Sequence, residues 1–209
     1  MRSMLILLLL IVFDCFVHAQ SVEQESKLQP SLGLEIQGYP TGVISSVRTE
    51  LLFYNANALN MSAGYNWFNH RDLGKHQAEK GGGFGSSLGY RRYFENEGLK
   101  GFFVGVKSDV WFNKVHWKDF KGDGSLLISG TSKITVWQPT LSAGYRVKFA
   151  KDLLSFEPNI AFGYEWNIRT NGNITYADPA ILITDEIFKT GDGLIFLFGF
   201  SFMATFKNK

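Results

Sequence analysis

One cysteine stands among 209 residues, and it lies at position 15, within the first twenty. The rest of the chain has no thiol, so disulfides do not hold it together. Proline is scarce, at 5 residues, which leaves long stretches without the residue that most often interrupts regular structure. Neither sign of charge dominates, with 21 Lys and Arg against 19 Asp and Glu. The basic residues are scattered among carboxylates, so nucleic acid is not an expected partner. Beyond the N-terminus a long hydrophobic run is also missing. A membrane-spanning helix takes about 20 consecutive apolar residues. The charge-free run "GLIFLFGFSFMATF", Gly193–Phe206, is shorter and broken by Gly and Ser.

What the chain has is aromatic residues and glycine: 15% Phe, Trp and Tyr, with 19 Phe, beside 22 Gly. The first residues read as a separate object. Arg2 opens a short charged region, "MLILLLLIVF" is apolar, and "VHA" places small residues at Val17 and Ala19. This is the pattern of a cleaved export signal over residues 1–19, with cleavage before Gln20. Lipidation at Cys15 is disfavoured, because "VFD" before it lacks the small residue expected there.

After residue 30 the apolar residues recur at period two. In "FEPNIAFGYEWNI", Phe156, Pro158, Ile160, Phe162, Tyr164, Trp166 and Ile168 alternate with Glu157, Asn159, Ala161, Gly163, Glu165 and Asn167. Such alternation predicts a strand with two unlike faces. The final run splits the same way, with Leu194, Phe196, Phe198, Phe200, Phe202, Ala204 and Phe206 on one face. "FFVGVKSDVWFN" (from Phe102), "TVWQPTLSAGYRVKF" (from Thr135) and "LNMSAGYNWF" (from Leu59) sort equally well. "GFGSSLGYRRYF" (from Gly83), "RTELLFYN" (from Arg48) and "SLGLEIQGY" (from Ser31) complete a set of eight. The connections Asn55–Ala58, Glu95–Gly98 and Ala150–Leu154 are short. Those at His70–Gly82, His116–Gly130 and Arg169–Gly193 are long and polar, and the one from Tyr39 to Val47 is intermediate. This predicts an up-and-down meander of antiparallel strands.

Two barrels of opposite polarity fit such a meander. A lipocalin-like secreted barrel turns its apolar face inward around a lipid, and an outer-membrane barrel turns it outward. Three features favour the second. The polar face is rich in Gly, Ser, Ala and Asn, which suits a crowded interior. The strands run to about a dozen residues, where a tilted membrane strand needs about 9–11 and a soluble strand about 5–6. Aromatic residues stand near strand ends, at the level of interfacial girdles. The expected fold is therefore all-β, an eight-stranded antiparallel up-and-down transmembrane β-barrel over residues 31–209, preceded by a periplasmic segment, 20–30. Its lipid-facing aromatics are Tyr65, Trp67, Tyr90, Trp137, Tyr145, Phe162, Tyr164, Trp166, Phe196, Phe198, Phe200, Phe202 and Phe206.

With these features the chain resembles the small outer-membrane β-barrels of Gram-negative bacteria, of the OmpA transmembrane-domain type or the outer-membrane β-barrel domain families. The resemblance is architectural and covers Ser31 to Phe206. It implies contact with outer-membrane lipid and lipopolysaccharide, and insertion by the barrel-assembly machinery through an aromatic last strand. Here "KNK" follows Phe206 where such strands often end in a terminal Phe.

The proposed lumen face carries Glu35, Arg48, Glu50, Arg91, Lys107, Asp109, Arg146, Lys148, Glu157 and Glu165. An eight-stranded barrel is just filled by its own side chains, so these charges are expected to pair, leaving no large open pore. A gated ion path is the functional alternative. No cofactor or metal site is expected. His70, His76 and His116 fall in or beside the long links without a second ligand at metal spacing. "GGGFGSSLG" lacks the Gly-Lys-Ser/Thr ending of a phosphate loop, and its glycines make room for large neighbours across the lumen. "NMS" and "NIT" match a glycosylation triplet without meaning in a bacterial barrel. A lipid-A-modifying enzyme would need a Ser–His pair facing the membrane. Ser108 and His116 lie eight residues apart, about 26 Å along a strand, too far for catalysis. The expected role is structural or interactive and non-enzymatic, with Arg169–Gly193, containing "ITYADPAILITDEIF", as binding surface for an unidentified extracellular partner.

Overall fold

The computed structural model describes residues 29–53, 56–69, 78–95, 100–176 and 192–206. Eight strands follow in chain order: β1 (Gln29–Tyr39), β2 (Gly42–Phe53), β3 (Asn57–Asn69), β4 (Ala78–Tyr93), β5 (Gly101–Phe120), β6 (Leu126–Phe149), β7 (Leu154–Tyr176) and β8 (Gly193–Thr205). Each pairs antiparallel with the next. β8 returns to β1 from Ser31↔Thr205 to Gly38↔Phe198, so the sheet closes into a ring. Closure gives β1 and β8 each a second neighbour, where an open sheet would leave edges of unpaired backbone. The described residues contain no helix.

Each of the eight expected segments falls on one of these strands, but several strands are longer than the sequence indicates. β5, β6 and β7 run 20, 24 and 23 residues, against 11 for β1 and 12 for β2. The stretch His116–Gly130, expected as a long link, is strand except for 121–125. The link expected from Arg169 is strand as far as Tyr176, and β4 begins at Ala78. The expected intermediate link Tyr39–Val47 is a turn of Pro40 and Thr41 alone, with Asn69 N donating to Thr41 O at 2.9 Å. Pro30, expected in the segment before the barrel, already belongs to β1. The expected export signal, Cys15, His70, His76 and most of the expected 169–193 link lie outside the described residues.

The cause of the longer strands is a switch of polarity between the two faces. Over most of the ring the outer residues are apolar and the inner ones polar. On β5 Phe102, Val104, Val106 and Phe112 are exposed, while Lys107, Asp109 and Asn113 are buried. Beyond Asn113 the alternation continues with the faces exchanged: Lys114, His116 and Lys118 are exposed, while Val115 and Trp117 are buried. The same exchange occurs on β6, where Trp137 is exposed above buried Gln138, whereas Lys133 is exposed between buried Ser132 and Ile134. A pattern that reverses midway loses its contrast when read as one face, although the strand itself is unbroken.

Taken together the ring is inverted relative to a water-soluble domain. Among the described residues 25 polar or charged residues are buried against 15 apolar ones, while 33 large apolar residues are exposed. Ordinary folded surfaces do expose apolar atoms, but buried charge and contiguous exposed apolar area are the informative departures. Phe84 is 72% exposed and Leu194 73%, while Arg146 and Glu157 are each 0%.

Two turns require unusual backbone. In the β5–β6 turn Gly124 takes φ +81°, Lys121 N bonds Ser125 O at 2.8 Å, and Asp123 Oδ1 accepts from Ser125 N at 2.9 Å and Ser125 Oγ at 2.7 Å. These two donors hold the Asp123 carboxyl below the usual carboxylate range. In the β6–β7 turn three successive non-glycine residues, Ala150, Lys151 and Asp152, take φ of 52°, 57° and 66°.

Candidate functional site

The inner face places six charged side chains from five strands in one cluster. Glu35 comes from β1, Arg48 and Glu50 from β2, Arg91 from β4, Arg146 from β6 and Glu157 from β7. Period two makes this arrangement available, because each stands at an inward position of its own strand. Glu157 is the hub. Its Oε1 accepts from Arg48 Nη2 at 2.8 Å and from Arg91 Nη1, and its Oε2 lies 2.8 Å from Arg146 Nε and 2.6 Å from Arg146 Nη2. Glu50 Oε2 accepts from Arg146 Nη2 at 3.1 Å and its Oε1 from Tyr93 Oη at 2.9 Å, and Glu35 Oε1 accepts from Arg48 Nη1 at 2.9 Å. Three positive and three negative groups thus balance in a space without bulk water. Separately, each would cost several kcal/mol to bury.

Aromatic faces complete the cluster. The Arg91 guanidinium lies 4.5 Å from the Phe103 ring centroid and that of Arg146 lies 5.1 Å from Tyr93, where the ring quadrupole attracts the cation. A second polar group sits next along the lumen. Lys107 Nζ lies 2.9 Å from Gln37 Oε1 and 3.2 Å from Asp109 Oδ1, and Gln37 Nε2 donates to Asn159 Oδ1 at 3.3 Å.

The charges are bounded on both sides by apolar side chains. Along the inner face of β2 the order is Ile44, Ser46, Arg48, Glu50, Leu52, and along β5 it is Phe103, Gly105, Lys107, Asp109, Trp111. Leu52, Ala58, Tyr93 and Phe103 form a cluster at one end. Ile44, Phe68, Trp111, Val115, Ile134, Val136, Ala161 and Leu197 form one at the other. Gly85 makes room for this second plug, since a Cβ there would run into the Trp111 ring. Gly144 does the same for Phe103.

Of the ten lumen charges expected from sequence, six form the cluster and Lys107 and Asp109 form the adjoining pair. Glu165 is buried but lies apart, accepting from Asn167 Nδ2 at 3.2 Å. Lys148 is half-buried, two residues beyond Arg146 towards the β6–β7 turn. The expected outer-face aromatics are all outside. Trp67, Trp137, Tyr145, Phe162, Phe196, Phe198, Phe200, Phe202 and Phe206 are exposed, and Tyr65, Tyr90, Tyr164 and Trp166 are half-exposed. Trp137 and Trp166 stack at 4.7 Å, and Tyr65 packs on Trp67 at 4.7 Å and Phe84 at 4.8 Å. The inward apolar plugs were not expected. Trp111 and Phe103 already carried the parity of Lys107 and Asp109, which is the signal that would have found them.

Ser108 and His116 stand on the same outer face of β5 with separate partners. Trp137 Nε1 donates to Ser108 Oγ at 2.9 Å, while His116 Nδ1 and Thr131 Oγ1 are 3.0 Å apart. Among the described residues no three His, Cys, Asp or Glu side chains gather as a metal site. No protein-family model, curated protein or solved structure matches the chain.

Proposed function

We propose that this chain is an integral outer-membrane β-barrel protein with a structural or surface-interaction role, without catalysis and without a large open pore. The observation that carries the reading is the inverted polarity of the ring. On β5 the apolar outer positions run from Phe102 to Phe112. Ten steps of about 3.4 Å, tilted by about 40°, give a band about 26 Å high, the height of the lipid-facing belt of such barrels. The exchange of faces beyond Asn113 is what a wall does on leaving lipid for water. The export signal and the aromatic last strand support the outer membrane as the destination. The end carrying the β5–β6 turn then faces outward, and the start of β1 at Gln29 and the end of β8 at Thr205 lie on the periplasmic side.

The plugs on either side of the charge cluster support a closed lumen. A soluble lipid-binding barrel needs an apolar cavity, and here paired charges fill that space. A lipid-modifying enzyme needs its nucleophile within about 3 Å of its base, and Ser108 and His116 are bonded elsewhere.

The test is gel migration of the detergent-extracted chain before and after boiling, together with cell fractionation. A shift on boiling and recovery only with detergent are expected. Recovery in the soluble fraction, with no shift, would sink the proposal.

A further inference from the structure

The inward row of β5 carries polar atoms that its neighbours leave unmatched. Among the described residues Asn113 Nδ2 and Oδ1, Trp111 Nε1, Asp109 Oδ2 and, on β6, Thr140 Oγ1 have no hydrogen-bond partner. All four residues are buried, with at most 4% of their surface exposed. Buried polar groups are otherwise almost always paired.

The surroundings of the row explain the deficit. Across β4–β5, Asp109 stands opposite Ser87, Trp111 opposite Gly85 and Asn113 opposite Gly83. Two of these have no side chain, and Ser87 Oγ is bonded to Ser62 Oγ at 2.5 Å. Across β5–β6, Asn113 meets Ile134 and Trp111 meets Val136, which have no polar atom to offer. Thr140 stands opposite Lys107 on β5 and Gly163 on β7. Nearby, Ser62 and Ser142 hold inward positions and yet keep accessible surface. Side chains therefore do not fill the lumen between the two plugs.

The mixture of donors and acceptors says what is missing. Trp111 Nε1 can only donate and the Asp109 carboxylate can only accept, whereas Asn113 and Thr140 do both. A cation would leave the indole and the amide nitrogen unmatched, and an anion would leave the carboxylate unmatched. Only a small molecule that donates and accepts at once serves all of them. From Asp109 to Asn113 is about 14 Å along the strand, four steps of about 3.4 Å. That length takes a file of about five molecules at hydrogen-bond spacing.

We propose that a file of bound water runs along the inner face of β5, from Asn113, between the plug residues Trp111 and Val115, to Asp109 and Thr140. Each water bridges polar groups that would otherwise be buried unpaired. The file ends at the Lys107–Asp109 pair, and the six-charge cluster closes the lumen beyond it. The plug at Trp111 is thus a wetted closure. The plug at Phe103 is a dry one, its Tyr93 Oη already donating to Glu50. The site lies inside the ring and does not depend on what surrounds the outer wall.

The test is magnetisation transfer from water to the indole N–H groups of the isotope-labelled full chain in detergent micelles. Loss of one signal in Trp111→Phe assigns Trp111. Trp111 Nε1–H should receive transfer from long-lived water, and Trp137 Nε1–H, bonded to Ser108 on the outer wall, should not. Asn113→Leu, close in volume but without the amide, should abolish the transfer at Trp111 without raising the urea midpoint. Asn113→Ser should keep the transfer. Absence of transfer at Trp111 in the unaltered chain overturns the site, whether or not the variants fold. A raised midpoint in Asn113→Leu also overturns it, because removing a dry, unpaired amide relieves its cost. Transfer that changes when potassium replaces sodium would put an ion in the lumen and overturn the water file. Recovery of the chain without detergent would sink the membrane reading and leave these outcomes unaffected.

Discussion

Arg146 and Glu157 face each other across the β6–β7 seam, Nη2 to Oε2 at 2.6 Å, where the backbone ladder between those strands is interrupted. Pairing runs to Gly144↔Asn159 and resumes at Val147↔Phe156. Between them stands Pro158, which has no N–H to give. The side-chain ion pair bridges the point at which the main chain does not.

Glu157 should therefore be the least replaceable carboxylate of the lumen. Glu157→Gln leaves three arginines sharing two carboxylates and should lower stability by about 3–5 kcal/mol. Urea unfolding in lipid vesicles measures this. Adding Arg91→Gln to the same chain should recover part of the loss, because the two changes act on one network. Independent, additive losses would contradict the hub arrangement.

Gly85→Val should displace the Trp111 ring, since even a Cβ has no room there. Overpacking of this kind costs about 1–3 kcal/mol. A lower urea midpoint and altered Trp fluorescence are expected. Adding Trp111→Leu should restore the midpoint in part.

The left-handed run at Ala150–Asp152 places Cβ atoms where only glycine is at ease. Ala150→Gly should raise stability by up to about 1 kcal/mol, the relief of strain being partly offset by the freedom glycine gains when unfolded. A lowered urea midpoint would count against that backbone.

Asp123, in the exposed β5–β6 turn, has its carboxyl depressed by the Ser125 hydroxyl and amide. A depressed acid stabilises its fold above the unfolded pKa, about 3.9, and that contribution is lost as pH falls through the folded value. The Ser125 amide resonance should therefore titrate with a midpoint below 3.9, about the ordinary value. Ser125→Ala should move the Asp123 midpoint back up towards it.

With apolar plugs on both sides of the cluster, the chain in planar bilayers should give no large, stable conductance. Single-channel recordings that showed one would be incompatible with a lumen closed by these plugs.

Strand parity was legible in the sequence because it is a local property. Trp166 and Glu165 must point opposite ways wherever the strand goes, and that rule alone puts the ten charges on one face and the thirteen aromatics on the other. Alternation could not find where β5 and β6 end, since the faces exchange roles between Asn113 and Lys114 and again near Val136. Nor could it find the plugs: Trp111 and Leu197 were on the inward side by parity, but only closure of the ring brings them together with Phe68. Which charge meets which was also beyond the sequence. Arg48 and Glu157 lie 109 residues apart and Lys114 and Lys133 19 apart. Lateral register sets both meetings, and register is a property of the whole ring. The sequence by itself determined two unlike faces on eight strands. The tertiary structure decided that Glu35, Glu50 and Glu157 gather inside among three arginines, while Lys114 and Lys133 stand side by side on the outer wall. The reason is that each strand's inward and outward rows become neighbours only once the ring has closed.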